Sequence, residues 1–105
     1  MILTDKNFEK EVLESKIPVL VDFWSSWCPP CKMVEPVIDK LEKDYRGRLK
    51  VCKINVDKYP SIAAKYNIKG VPTFIIFNDG KIIYRSVGAK SEFQLKKIIE
   101  SKLKI

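Results

Sequence analysis

At 105 residues, with 46% hydrophobic and 31% charged side chains, the sequence reads as one soluble globular domain spanning residues 1–105. Its size allows a core without covalent staples, no apolar run approaches the ~20 residues a membrane span needs, and three cysteines do not suggest a disulfide framework. The net charge of +7 is carried by 20 Lys and Arg scattered from Lys6 to Lys104, densest at Arg46, Arg48, Lys50 and Lys53; without aromatic interleaving this is a solvated basic surface, with no specific nucleic-acid partner.

Ile2 and Leu3 could open a short strand, and Thr4 is a plausible N-cap for a helix carrying Phe8, Val12 and Leu13. This charged start lacks the basic, apolar and small-residue order of a signal peptide, so the expected compartment is the cytoplasm, where thiols stay mostly reduced. "VLVDFW", 19–24, is an apolar run broken by one acid, as in a strand covered on both faces. Next come "SSWCPPCK" and a helical stripe of Val34, Val37, Ile38, Leu41 and Tyr45, with Gly47 as its stop. Residues 49–57 alternate like a strand, and 59–66 form a shorter helix. Two β-rich runs, 73–77 and 81–87, flank the tight turn Asp79-Gly80. Ser91 with Gln94 signals a capping box for a last helix, whose candidate buried positions are Phe93, Leu95, Ile98, Ile99 and Leu103.

This order predicts an α/β fold: a mixed central sheet of about five strands with helices on both faces. Cys28 and Cys31 fall where a buried strand ends and a helix begins, at the carboxyl end of the strands, where open α/β sheets build sites. A thiol there meets unpaired N–H groups and the positive end of the helix dipole, which favour the reactive thiolate. Cys28 precedes the helix, so its sulfur is expected to be exposed and activated; Cys31, one turn in, can attack a mixed disulfide on Cys28 intramolecularly. Pro29 and Pro30 suit the boundary but remove two N–H donors; Cys28 and Pro29 should be extended, with the helix starting near Pro30. Pro36 predicts a kink. Structural zinc would need four Cys or His ligands where the chain has three Cys and no His. A static C-x-x-C disulfide would constrain little. Redox exchange is the reading that remains strong.

"VLVDFWSSWCPPCKMVEPVIDKL", "KINVDKYPSIAAKYNIKGVPTFIIFNDGK" and "RSVGA" together resemble thioredoxins, in order and over essentially the whole chain. The resemblance implies a protein-disulfide reductase with the thioredoxin fold, needing no cofactor or metal of its own. It would work as a monomer off the membrane, acting on disulfide-containing proteins and recycled by a thioredoxin reductase, whether NADPH- or ferredoxin-linked. It implies Cys28 as nucleophile, Cys31 as resolving thiol, a Cys28–Cys31 redox disulfide, and Asp22 as the buried acid assisting proton transfer, with Lys53 at the position of its partner. A lone acid in an apolar run should have a raised pKa. The resemblance further implies that Pro72 is cis, leaving the Val71 backbone free to pair with an extended substrate. Trp27, Gly70, Val71, Pro72, Val87 and Gly88 would form a flat apolar docking surface beside Pro29 and Pro30. Trp24 is expected in the core and Gly88 at a close approach.

The sequence departs from the family at three points. Pro29-Pro30 replaces the usual Gly-Pro, which bears on redox poise. Ser25 stands where alanine is common. The basic balance contrasts with acidic or near-neutral members. Cys52, in a strand, is expected to be buried and inert. Two other classes compete with a reductase: a binding module using the fold without turnover, and nucleic-acid binding through the basic surface.

Overall fold

The computed structural model describes residues 1–105. Its elements run β1 (Val19–Trp24), α1 (Pro29–Asp44), β2 (Lys50–Asn55), α2 (Pro60–Lys65), β3 (Thr73–Asn78), β4 (Lys81–Val87) and α3 (Glu92–Leu103), preceded by one π-helical turn, Glu9–Leu13. The sheet is mixed, in the order β2-β1-β3-β4. β1 pairs parallel with β2 and antiparallel with β3, and β3 pairs antiparallel with β4.

The sheet has four strands rather than about five. Ile2 makes a single parallel bridge with Lys53 and its side chain lies in solvent, so the N-terminal segment is tethered without becoming a strand. Thr4 does cap a turn: its Oγ1 accepts from the Asn7 N–H while Asn7 Oδ1 accepts from the Thr4 N–H. The turn after it is π-helical, closed by the Glu14 N–H donating to the Glu9 carbonyl.

Period-two alternation along β1 divides the core. Leu20 faces α1 and α3, in a cluster with Val34, Ile38, Leu41, Phe74, Leu95 and Ile99. Val19, Val21 and Phe23 face the opposite layer, with Phe8, Val12, Cys52, Ile54, Ile75 and Phe77. Tyr66 stacks into that second layer against Phe8, Phe23 and Phe77. Asp22 shares the parity of Leu20, so the one acid of the run is directed under α1.

The hairpin turn is as expected, with Asp79 and Gly80 both at positive φ, 55° and 77°. A bulge between Ile76 and Phe77 shifts the β3–β4 register. The capping box of Ser91 and Gln94 is complete on both sides. Phe93, expected to be buried, is 66% exposed with the Lys97 ammonium over its ring. It stands two residues from Leu95, about 200° round the helix from the buried stripe. Trp24 is half-buried rather than core, because it ends β1 beyond the cover of both layers.

Candidate functional site

β1 delivers the chain to the carboxyl edge of the sheet, and α1 starts after four intervening residues, 25–28. Cys28 is the N-cap of α1, extended at φ −100° and ψ 104°. Pro29 is already helical, one residue earlier than expected: its ring fixes a φ suited to the first helical position, and this outweighs the bias imposed by Pro30. α1 continues through Pro36 without ending. Neither Pro29 nor Pro30 has an N–H, so the first amide facing the cap sulfur is that of Cys31, which donates to Cys28 Sγ at 3.1 Å. The two cysteines are joined as a disulfide, with Cα atoms 5.3 Å apart.

Cys28 is not exposed in this oxidised form: only 2% of it is accessible, against 5% for Cys31. Its Sγ is packed 3.7 Å from the Val71 carbonyl oxygen. What separates the two residues is the cavity each one lines. Cys28 lies on a mostly apolar groove of about 440 Å³, with Trp27, Pro29, Pro30, Ile68, Gly70 and Val71. Cys31 lies on a smaller cavity of about 200 Å³, whose lining carries four charged side chains, Asp22, Lys32, Glu35 and Lys53, beside Trp24 and Ser26.

Asp22 is 3% exposed, and its Oδ1 has no hydrogen-bond partner in the chain. Burial pushes its pKa up from 3.8 to about 7, Lys53 pulls it down, and Glu35 adds to the rise. Asp22 and Lys53 are register partners across β1 and β2. They do not form an ion pair: the Lys53 ammonium is 3.8 Å from Glu35 and 3.9 Å from Asp39. The expected pairing is thus replaced by one with α1.

The groove gathers Trp27, Pro29, Pro30, Gly70 and Val71. Trp27 is 72% exposed, and its indole N–H donates to Asp57 at 3.4 Å. The Val71–Pro72 peptide is cis. Neither the N–H nor the carbonyl of Val71 has a backbone partner. Pro72 itself is buried, so its ring lies under the surface instead of forming part of it. Its carbonyl accepts from the Gly88 N–H at 2.8 Å. Val87 is exposed beside the groove. Gly88, at φ 106°, has nothing within 4 Å of where a Cβ would stand, so it serves a backbone conformation and not a close approach. Gly70 is the residue at a close approach: a Cβ there would lie 2.9 Å from Val87 Cγ1. Gly70→Ala should turn the exposed Val87 side chain aside, raising KM for a protein disulfide a few-fold with stability changed by less than about 1 kcal/mol. Steady-state kinetics beside thermal unfolding check this.

Two acids escape sequence reasoning. Asp57 also accepts from the N–H and hydroxyl of Ser26, and so braces the loop that carries Trp27. Nothing local marks it, since its partners are about 30 residues away. Glu35 could have been found: it is four residues after Cys31 on a helix, hence on the same face. Cys52 is buried, and burial pushes its thiol up to about 11, as an inert core cysteine requires. No group of His, Cys, Asp or Glu is arranged to hold a metal ion, and no helix is long and apolar enough to cross a membrane.

The family model described as Thioredoxin matches residues 1–101. Among curated relatives, Thioredoxin from Pseudomonas aeruginosa is 45% identical over 101 residues, covering 96% of this chain and 94% of the relative. Thioredoxin 1 from Synechococcus elongatus is 46% identical over 101 residues, with the same coverage of 96% and 94%. Thioredoxin from Chlorobaculum thiosulfatiphilum is 47% identical over 97 residues, covering 92% and 90%.

Proposed function

This chain belongs to the thioredoxin family and is a thiol-disulfide oxidoreductase that reduces protein disulfides; within that activity we propose a distinct role for each side of its disulfide. The observation that carries the proposal is that the bonded sulfurs belong to residues lining different cavities.

In the dithiol form, the Cys28 thiolate attacks one sulfur of a substrate disulfide. A Cys28–substrate bond forms, the substrate S–S bond breaks, and the first substrate thiolate leaves. Cys31 then gives its proton to the Asp22 carboxylate, which lines the same cavity, and attacks Cys28 Sγ. The intramolecular disulfide forms and the second substrate thiolate leaves. Two electrons have passed from the dithiol to the substrate, and a thioredoxin reductase returns two electrons, with two protons, to the pair. Lys53 tunes Asp22 by its charge.

Substrate docks on the apolar groove. Trp27, Pro29, Pro30, Gly70 and Val71 form its wall, Val87 its rim, and Pro72 and Gly88 hold the Val71 segment in place. The unpaired N–H and carbonyl of Val71 suit an extended peptide added as a strand. The partners are disulfide-bearing proteins and the reductase; the chain acts as a single-domain monomer over residues 1–105, in the cytoplasm, without specific nucleic-acid binding.

Trapping tests the assignment of roles. Cys31→Ser protein mixed with oxidised insulin should accumulate a covalent adduct on Cys28 in near-stoichiometric yield, located by peptide mass spectrometry. No adduct, or one confined to Cys52, would overturn it.

A further inference from the structure

Asp22 and Lys53 lie side by side on adjacent parallel strands, with the same parity under α1. Strands at that spacing, about 4.8 Å, place two such side chains within reach of one another. A lysine beside a buried carboxylate would ordinarily close on it. Here its ammonium turns outward, 3.8 Å from Glu35 and 3.9 Å from Asp39, and Asp22 Oδ1 has no partner. Cys31, Glu35 and Asp39 succeed one another at four-residue steps along α1, so the carboxylates form a stripe above the lysine. Of the two, only Glu35 also lines the cavity that holds Asp22 and Cys31.

We propose that Glu35 is a positioning residue for the proton step: by holding the Lys53 ammonium outward, it leaves Asp22 unpaired beneath Cys31. The inference rests on the reading of Asp22 as the proton acceptor. An acid paired with lysine is a poor proton acceptor near neutral pH, because the pair lowers its pKa. The groups facing Asp22 are Lys53 from β2, Cys31, Lys32 and Glu35 from α1, and Ser26 from the preceding loop, while its β3 register partner is the uncharged Phe74. Asp39 reaches the site only through Lys53. Glu35 is therefore the group whose charge both attracts the lysine and sits at the mouth of the cavity.

The test is the titration midpoint of Asp22 in the oxidised full-length chain, read from the NMR signal of its labelled carboxyl carbon. Glu35→Gln keeps the shape and removes the charge, and should lower the midpoint by at least about half a pH unit as Lys53 swings inward. Glu35→Asp should restore part of the difference. In a Lys53→Met background, Glu35→Gln should lower the midpoint by less than half as much, since no ammonium is left to redirect. An unchanged midpoint in Glu35→Gln, or an equal fall in both backgrounds, overturns the positioning role. The relay reading is judged separately, from the pH profile of substrate release in Asp22→Asn. An unaltered profile there would sink the relay while leaving the midpoints to decide for or against Glu35.

Discussion

Cys28→Ser should abolish the acceleration of insulin reduction by dithiothreitol, bringing the rate to that of dithiothreitol alone. Serine is nearly isosteric and keeps a cap acceptor for the Cys31 N–H, so α1 should start in the same place. What is lost is the sulfur that forms the mixed disulfide, and no other thiol can take its place. Cys52 is buried, with its thiol pushed up to about 11, so almost none of it is thiolate at neutral pH. Cys31 retains its thiol but lines the smaller, charge-lined cavity and not the groove that Cys28 lines. Turbidity from precipitating insulin B chain measures the rate, and circular dichroism checks the fold. A Cys28→Ser variant with the parent rate would remove Cys28 from the chemistry.

Asp22→Asn should have two large effects of opposite value to the protein. The first is on stability. The folded pKa of Asp22 is raised to about 7 from 3.8, chiefly by burial, so the native state binds its proton more tightly than the unfolded chain. Between those values the native state holds more protons, and this group's contribution to stability falls as pH rises. The penalty is absent below the unfolded value and complete above the folded one. At pH 8, Asn, which carries no charge to desolvate, should therefore stabilise the protein by roughly 4 kcal/mol, and at pH 3.5 by almost nothing. Denaturant melts at the two pH values measure this directly; a variant no more stable than the parent at pH 8 would refute the raised pKa. The second effect is on turnover. With no carboxylate beside Cys31, its deprotonation should slow by at least about tenfold near neutral pH, visible as slower decay of the mixed disulfide in stopped flow. The unpaired acid is thus a stability cost retained in exchange for proton transfer.

Much of this is legible in the residues. The run from Val19 to Trp24, followed after four residues by a Pro-Pro helix start, places two thiols at the carboxyl edge of a sheet, and that is where they are. The Asp79-Gly80 turn and the Ser91/Gln94 box depend on local backbone chemistry, which neighbouring residues decide almost alone. Expectation and structure part where a side chain's surroundings are set by distant elements. Phe93 is apolar and so expected inside, but helical pitch turns it away from the stripe of Leu95 and Ile99. Cys28 is expected in the open, yet Val71, 43 residues away, packs its carbonyl against the sulfur. Lys53 does stand beside Asp22 in the strand register, but its ammonium lies against two carboxylates of another element, Glu35 and Asp39. Ile2 has the composition of a strand, but a single bridge is all the N-terminal segment makes.

The disulfide forms a partition between two chambers, with Cys28 on the wall of one and Cys31 on the wall of the other. The two chambers share no lining residue. On the proposed roles, delivery of cargo and the hydrogen-ion traffic that accompanies it use separate doors.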